Sequence, residues 1–383
     1  MGSTNLYKQL IDQFTDARLL VTSSEGEQPT VEVAHEALLT SWPRLVQWIE
    51  TVRDDLRLRS QLQRAAAEWK ESGYPPAYLW SDRRVVNACS MLGRLRYEPN
   101  EVERRFLGPL DPERMLKELE DSATLPEQRA LIGVRLALLG DPRHGVGLQE
   151  GGLPDIDWCR VPGGKILLRR SEQVIEFDIA SFFIARFPVT WTQYRAFLEA
   201  RDGYGNLDWW EGLAHRDDQP GKQFQQYNNH PADNVSWFDA MAYCRWLSHH
   251  MRYEIRLPSE WEWQQAATGG DPANRYPWGT DWDPGRANTY ESQLNRTTAV
   301  GMYPHGASPV GALDMCGNVW EWFVDASDQN PPDQYCPKGY RALRGGAWNF
   351  NADQARSEAR NWECSAYRFT SVGFRLACSF PVL

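Results

Sequence analysis

Apolar residues recur at helical spacing from Leu6 to Phe14, after which the period shortens. ARLLVTS (17–23), the polar turn around Gly26-Glu27-Gln28 and TVEVAHEAL (30–38) predict two short strands joined by a turn, then another helix. Helix, hairpin and helix together suggest the end of a winged-helix unit over residues 1–50. From Asp54 to Ser72, Ser81 to Leu95, Glu101 to Phe106 and Asp111 to Leu139, Leu, Ala, Arg and Glu alternate at helical spacing, with Gly73 and Pro75-Pro76 as a break. These stretches predict a helical adaptor over 51–140. The following tract is dense in Gly, Pro and Asp and reads as a linker over 141–158, leaving 159–383 as a separate domain.

Composition narrows the class. The chain has 383 residues, 42% hydrophobic and 24% charged, enough for two or three globular domains. Its net charge of -10 disfavours non-specific binding to nucleic acid or anionic lipid. No run approaches the ~20 apolar residues needed to span a bilayer, and the opening MGSTNLYKQL lacks the regions of a secretory signal. A cytoplasmic protein without membrane or nucleic-acid partners is therefore expected. Seven cysteines, at 89, 159, 244, 316, 336, 364 and 378, are spread singly, with no CxxC, and are expected to be free, buried thiols. Tryptophan is the outlier at 18 copies, most after residue 150, which suits a loop-rich domain packed on large rigid side chains. His35 and Glu36 are adjacent at a helix start and do not share a face, so they make a poor metal or acid–base site.

The segment VEVAHEALLTSWPRLVQWIE, Val31 to Glu50, resembles the region that follows the ATPase module in bacterial STAND-type signalling ATPases. No phosphate-binding GxxxxGK[ST] loop accompanies it, so no nucleotide-hydrolysing module is expected within these residues; a STAND-type ATPase module either has been cut away from this chain or acts as a partner on another polypeptide. A second resemblance covers about 220 residues. RVPGGKILLRR at Arg160, FFIARFPVTWTQYRAFLEA at Phe182, HPADNVSWFDAMAYCRWLSHH at His230, RLPSEWEWQQAATGG at Arg256, YPWG at Tyr276, GNVWEWFVD at Gly317 and RGGAW at Arg344 run in the order found in the formylglycine-generating enzyme family. That resemblance implies an α+β fold: a C-terminal C-type lectin-like domain of the formylglycine-generating enzyme type, preceded by a mainly helical domain with a winged-helix-like start. It also gives Arg344 and Arg375 a bracing role in the core.

The family oxidises a cysteine in sulfatases with a pair of active-site cysteines. Counted from Gly345-Gly346, those two positions fall on Phe350 and Ala355, which can neither ligate a metal nor act as a thiol. Copper chemistry, which needs soft thiolate ligands, is therefore not expected. Two thiols meeting beneath this face, or its aromatic rings turned inward and sealed from solvent, would contradict a non-catalytic sensor surface. Relatives that build sulfur–histidine betaines take their iron ligands from a helical bundle, and the helical region here offers only His35 and His144. The family also holds structural calcium near GNxWEW, which assigns Asn318, the Val319 carbonyl and Glu321 to a cation; Asn288 matches a second site that lacks its acidic partner.

Between the framework residues lie Phe350, Asp353, Glu358, Trp362, Glu363, Cys364, Tyr367, Phe369, Thr370 and Ser371. Aromatic anchors among small polar groups are a binding-surface composition. The arrangement resembles the variable proteins of diversity-generating retroelements, in which a domain of this family has C-terminal codons randomised at adenines. An Asn codon randomised at both adenines yields Phe, Tyr, Cys, Thr, Ser or Asp, whereas Trp362, Glu358 and Glu363 need another origin. The resemblance implies a non-catalytic sensor for an unidentified protein or other macromolecular ligand. Two alternatives stand beside it: a formylglycine-generating oxidase with relocated chemistry, and a fixed-specificity, calcium-dependent lectin-like binder, although the EPN and QPD sugar motifs are absent.

Overall fold

The computed structural model describes residues 15, 20–23, 30–33, 43–95, 97–108, 111–170, 173–326 and 333–380. The predicted helix at Leu6–Phe14 and the pair His35 and Glu36 lie outside them. The chain divides into two compact units, Met1–Gly108 and Pro109–Leu383.

In the first unit the predicted hairpin is present, with β1 (Leu20–Ser23) antiparallel to β2 (Thr30–Val33). A 29-residue helix, α1 (Pro43–Glu71), follows, and α2 (Asp82–Leu95) and α3 (Glu101–Leu107) complete the unit. Because α1 runs unbroken through residue 50, the boundary expected there falls inside one helix. The i, i+4, i+7 stripe Leu62, Ala66 and Trp69 is buried, as are Val85, Ala88, Met91 and Phe106. Trp69 packs edge-on to Phe106 at 5.6 Å and to Tyr74 at 4.8 Å. The predicted break takes the form of Gly73 and Tyr74 at φ +81° and +64°. Asn100 and Glu103 form a reciprocal capping box at the start of α3.

The second unit begins earlier than the sequence suggests. The stretch read as one helix from Asp111 to Leu139 is two, α4 (Pro112–Leu119) and α5 (Pro126–Leu139). They pack Met115, Leu119, Ile132 and Leu136 onto Ala299, Met302 and Tyr303 of the C-terminal region. Buried Arg129 donates to the carbonyls of Leu119, Asp121, Thr124 and Met302. The stretch expected to be a linker is likewise fixed. Arg143 donates to the Val300 carbonyl at 2.6 Å, Thr190 Oγ1 to the Val146 carbonyl, and Gln193 Nε2 to the carbonyls of Gly145 and Asp155. Its Gly and Pro shape tight turns rather than freedom, a distinction that composition does not carry.

The remainder is α+β. Strands β3 (Trp158–Val161), β6 (Phe182–Ala185) and β11 (Ala377–Cys378) form one sheet, and β4 (Gly164–Arg170) pairs with β5 (Gln173–Ile179) as a hairpin. A four-stranded sheet in the order β10-β7-β8-β9 joins β7 (Trp320–Ala326), β8 (Tyr340–Arg344), β9 (Asn361–Cys364) and β10 (Val372–Phe374); only β10 and β7 run parallel. Helices α6 (Trp191–Glu199) and α7 (Trp237–Met251), capped by Thr190 and Ser236, bury an aromatic cluster that includes Tyr194, Phe197, Tyr243, Trp246 and Phe374. Helix α8 (Glu260–Thr268) packs near the second core, around Trp263 and Phe323. The abundance of tryptophan is thus spent on core packing between loops. Among the described residues, no helix is long and apolar enough to cross a membrane.

Candidate functional site: the C-terminal loop face

The loop face rests on two buried ion-pair anchors. Arg344, fully buried on β8, donates to Glu260 Oε1 at 2.5 and 3.0 Å and to the Ser357 carbonyl at 2.9 Å. Arg360 donates to the other oxygen of Glu260 at 2.6 Å. Arg375 pairs with Glu321 at 2.8 Å and donates to the carbonyls of Ala185, Arg186 and Leu313. Both arginines therefore brace the core as expected. Gly346 sits at φ +73°, where a side chain would meet the Ala355 Cβ at 2.7 Å, so the turn and the alanine are fitted to each other.

The two vacated cysteine positions lie in different surroundings. Phe350 is half-buried, its ring edge-on to Trp320 at 5.4 Å. Ala355 is fully buried in a small cluster with Tyr276, Ala287 and Cys316, flanked by Trp278 and Trp282. Beside it opens a cleft of about 390 Å³, lined among others by Arg275, Tyr276, Trp282, Glu291, Asn351 and Asp353. Tyr276 and Trp282 give the cleft an aromatic wall, their ring centroids 5.2 Å apart, and Trp278 stacks on Tyr276 at 9° from behind. Glu291 accepts from the Ala352 amide at 2.9 Å and from Thr289 Oγ1 at 2.6 Å, which holds the loop over the cleft. Asp353 is exposed at the rim and pairs with Arg356 at 2.8 Å; Glu358 lies 3.7 Å from the same arginine.

The other predicted contact residues form a second region. Tyr367 is 49% exposed, its ring 6.2 Å from that of half-buried Phe369. Its hydroxyl donates to the carbonyl of Tyr335, which is 72% exposed. Thr370 and Ser371 are half-buried and their carbonyls accept from Trp348 Nε1 and the Trp320 amide, so their side chains sit on a pinned backbone. On β9, Trp362 lies opposite Ala342 and packs onto the second core, while Glu363 lies opposite Arg341 with burial raising its pKa. The ten predicted residues are therefore not one patch. Asp353 borders a cleft, Tyr367 and Phe369 an aromatic ridge, and Trp362 serves chiefly as packing.

Cys364 requires correction. It is buried and joined to Cys336 by a disulfide, with Cα atoms 5.4 Å apart, and is not an exposed contact residue. The expectation of free thiols fails for this pair, because 28 residues of sequence separation conceal that β8 and β9 bring them together. Cys159, Cys244, Cys316 and Cys378 are free and buried. Burial pushes every one of these thiols up, Cys378 to about 12, which opposes thiolate formation.

The calcium assignment to Asn318, Val319 and Glu321 does not fit either. The Glu321 carboxylate is fully buried and committed to Arg375 and to the indole N–H of Trp263. Asn318 Oδ1 accepts the Thr298 amide at 3.0 Å, and its Nδ2 donates to the Thr298 carbonyl. These groups close a loop at φ +65° and present no converging anionic oxygens. Among the described residues no group of three or more His, Cys, Asp or Glu could hold a metal.

Several contributors escaped sequence reasoning. Tyr335, Phe224 and Tyr290 are 72%, 50% and 55% exposed and belong to loops outside the C-terminal stretch. Phe224 is placed by buried Asp233, whose Oδ1 accepts the Phe224 amide at 2.8 Å while Gln223 bonds both its amide and its carboxylate. Burial raises the Asp233 carboxyl to about 7, against 3.8 in an open chain. The folded protein therefore holds this proton between about pH 4 and pH 7 where the unfolded chain releases it. Stability from this group is present at the acid end and lost as pH rises through about 7, at up to about 1.4 kcal/mol per pH unit. Asp233→Asn should remove that component, so the difference in Tm between wild type and variant should change steadily from pH 4.5 to 7.5. A constant difference would refute the assignment.

Known proteins resemble both ends of the chain. Residues 2–77 match the family described as novel STAND NTPase 1. Hercynine oxygenase of Mycobacterium tuberculosis is 33% identical over 233 residues, covering 52% of this chain and 53% of that protein. The chain thus spans about half the length of the hercynine oxygenases it matches. The mouse inactive C-alpha-formylglycine-generating enzyme 2 is 30% identical over 297 residues, covering 64% of this chain and 91% of that one. Among solved structures, Treponema denticola variable protein 1 aligns with a TM-score of 0.45 and 20% identity over 59% of this chain and 96% of its own. Residues 154–380 match the sulfatase-modifying factor enzyme 1-like domain, and the chain belongs to that family.

Proposed function

We propose that the C-terminal unit is a non-catalytic ligand-binding sensor, the variable protein of a diversity-generating retroelement. Its N-terminal unit would couple it to a STAND-type ATPase module in the cytoplasm. One observation carries the reading: the loop frame is kept by two buried arginine–carboxylate anchors, while the positions that would hold the catalytic thiols are a half-buried phenylalanine and a buried alanine. The frame leaves Asp353, Tyr367, Thr370 and Ser371 with side chains at least partly open to solvent, where substitution changes recognition without disturbing the core. A rigid scaffold presenting aromatic and small polar groups supplies affinity at low ordering cost.

The family match to residues 2–77 supports the association with STAND signalling. The test is genomic and then biochemical. A near-copy of the codons for residues 345–375 is expected beside a reverse transcriptase, differing only where the copy has adenine. A library randomised at Asp353, Tyr367, Thr370 and Ser371 should then remain largely folded and yield binders to unrelated protein baits. Loss of folding across the library would refute a variable surface.

The disulfide favours a second reading, an oxidase with relocated chemistry, because two cysteines do meet near this face. Both cysteines are buried and neither lines the cleft, so neither is placed to meet a substrate there. Incubation with copper, dioxygen and a CxPxR peptide is expected to give no aldehyde; formation of one would replace the sensor reading.

A further inference from the structure

The first unit carries a second stripe on α1 that no element described there covers. Leu62, Ala66 and Trp69 face inward, whereas Arg53, Leu56, Arg57, Gln61, Arg64 and Glu68 recur at i, i+3, i+4, i+8, i+11 and i+15 and are exposed. Two hollows of about 530 and 500 Å³ follow this stripe and share Gln61 and Arg64, so they form one groove along α1. From Arg53 to Arg64 and on to Glu68 it runs ~24 Å, enough for four turns of a docked helix. Tyr78 and Trp80 wall one end. Arg84 lies over the Trp80 ring at 3.9 Å and donates to Gln61 Oε1, holding its guanidinium at the rim.

The charge of this surface is opposite to that of the chain. Residues 43–108 carry twelve Lys and Arg against nine Asp and Glu, while the whole protein stands at -10. Along the groove, Arg53, Arg57, Arg64 and Arg84 face Asp54 and Glu68, and Asp54 only loosely neutralises Arg53 and Arg57, at 4.0 and 3.6 Å with 82% of its side chain exposed. The apolar positions Leu56, Ala65 and Tyr78 lie between the cations, with Leu56 and Tyr78 41% and 47% exposed. A phosphate backbone would use the arginines but leave that apolar floor unfilled, and the chain's overall charge would oppose it.

We propose that this groove is a docking site for an acidic amphipathic helix of a partner polypeptide. The apolar stripe of that helix seats on Leu56, Ala65 and Tyr78, and its flanking carboxylates meet Arg57, Arg64 and Arg84. The test uses the full chain and fluorescence anisotropy with three labelled probes of equal length: a Leu/Glu amphipathic helix, the same helix with Lys replacing Glu, and a DNA duplex. The acidic helix should bind saturably and weaken several-fold as salt is raised past physiological strength. Arg57→Glu combined with Arg64→Glu should weaken it at least about tenfold with helical circular dichroism unchanged, since both side chains are exposed. Leu56→Ser should weaken it without altering the salt slope. Equal binding of the Lys helix, tighter binding of the duplex, or indifference to the charge reversal would each overturn the proposal.

Discussion

Arg375→Met should destabilise the C-terminal unit more than any other single substitution of its buried ion pairs. The substitution keeps most of the side-chain volume and removes only the guanidinium, so packing loss is small. What remains is the Glu321 carboxylate, fully buried, with the Trp263 indole N–H as its one remaining side-chain donor among the described residues. The carbonyls of Ala185, Arg186 and Leu313 lose their donor at the same time. Breaking a buried pair by removing one ion costs about 3–5 kcal/mol, and each orphaned carbonyl adds up to about 1–3 kcal/mol, non-additively. Total stabilities are only about 5–15 kcal/mol, so a drop in Tm on the order of 10 °C or outright unfolding is expected by calorimetry. Pairing the change with Glu321→Gln should recover part of the loss, because the stranded charge is then gone. A single variant that melts within about 2 °C of wild type would show that the arginine is not the brace.

That expectation draws on the part of the protein most legible in sequence. Arg344 and Arg375 stand in motifs whose order over about 220 residues identifies the domain, and a buried arginine must be paired to be tolerated. The hairpin β1–β2 and the helices were likewise visible, because their periods of 2 and 3.6 are local properties. Pairings between distant residues were not. Cys336 finds Cys364 only through the register of β8 and β9, and α4–α5 join the C-terminal unit only through Ala299, Met302 and Tyr303. The tract after Gly140 misled for a related reason: glycines and aspartates that shape tight, hydrogen-bonded turns have the same composition as a free linker. Within the loop face, spacing identified which residues are not framework but not which way each points. Trp362 and Cys364 alternate inward with β9, whereas Glu363 takes the other face of the same strand.

Glu260→Ala should have the largest effect on the loop face itself. One carboxylate here serves two guanidinium groups, Arg344 in the core and Arg360 at the base of the loop that begins at Asn351. Removing it leaves two like charges close together. Arg344 would be fully buried with the Ser357 carbonyl, the Trp261 ring 5.9 Å away and the more distant field of Glu358 in its favour, while burial already pulls its pKa down. Loss of about 3–5 kcal/mol is expected, against roughly 1–3 kcal/mol for Arg360→Ala, which removes a more accessible cation and leaves Glu260 still paired. The two variants should also differ in where they loosen the protein. Hydrogen exchange at the amides of Ala355, Ser357 and Ala359 should rise sharply in Glu260→Ala, since the Ser357 carbonyl is held by the arginine that Glu260 positions. Exchange in α7 should stay near wild type. If Arg360→Ala proved the more damaging, or if the loop amides stayed protected in Glu260→Ala, the frame would have to be held by the small apolar cluster around Ala355 instead, and a variable surface supported by ion pairs would lose its physical basis.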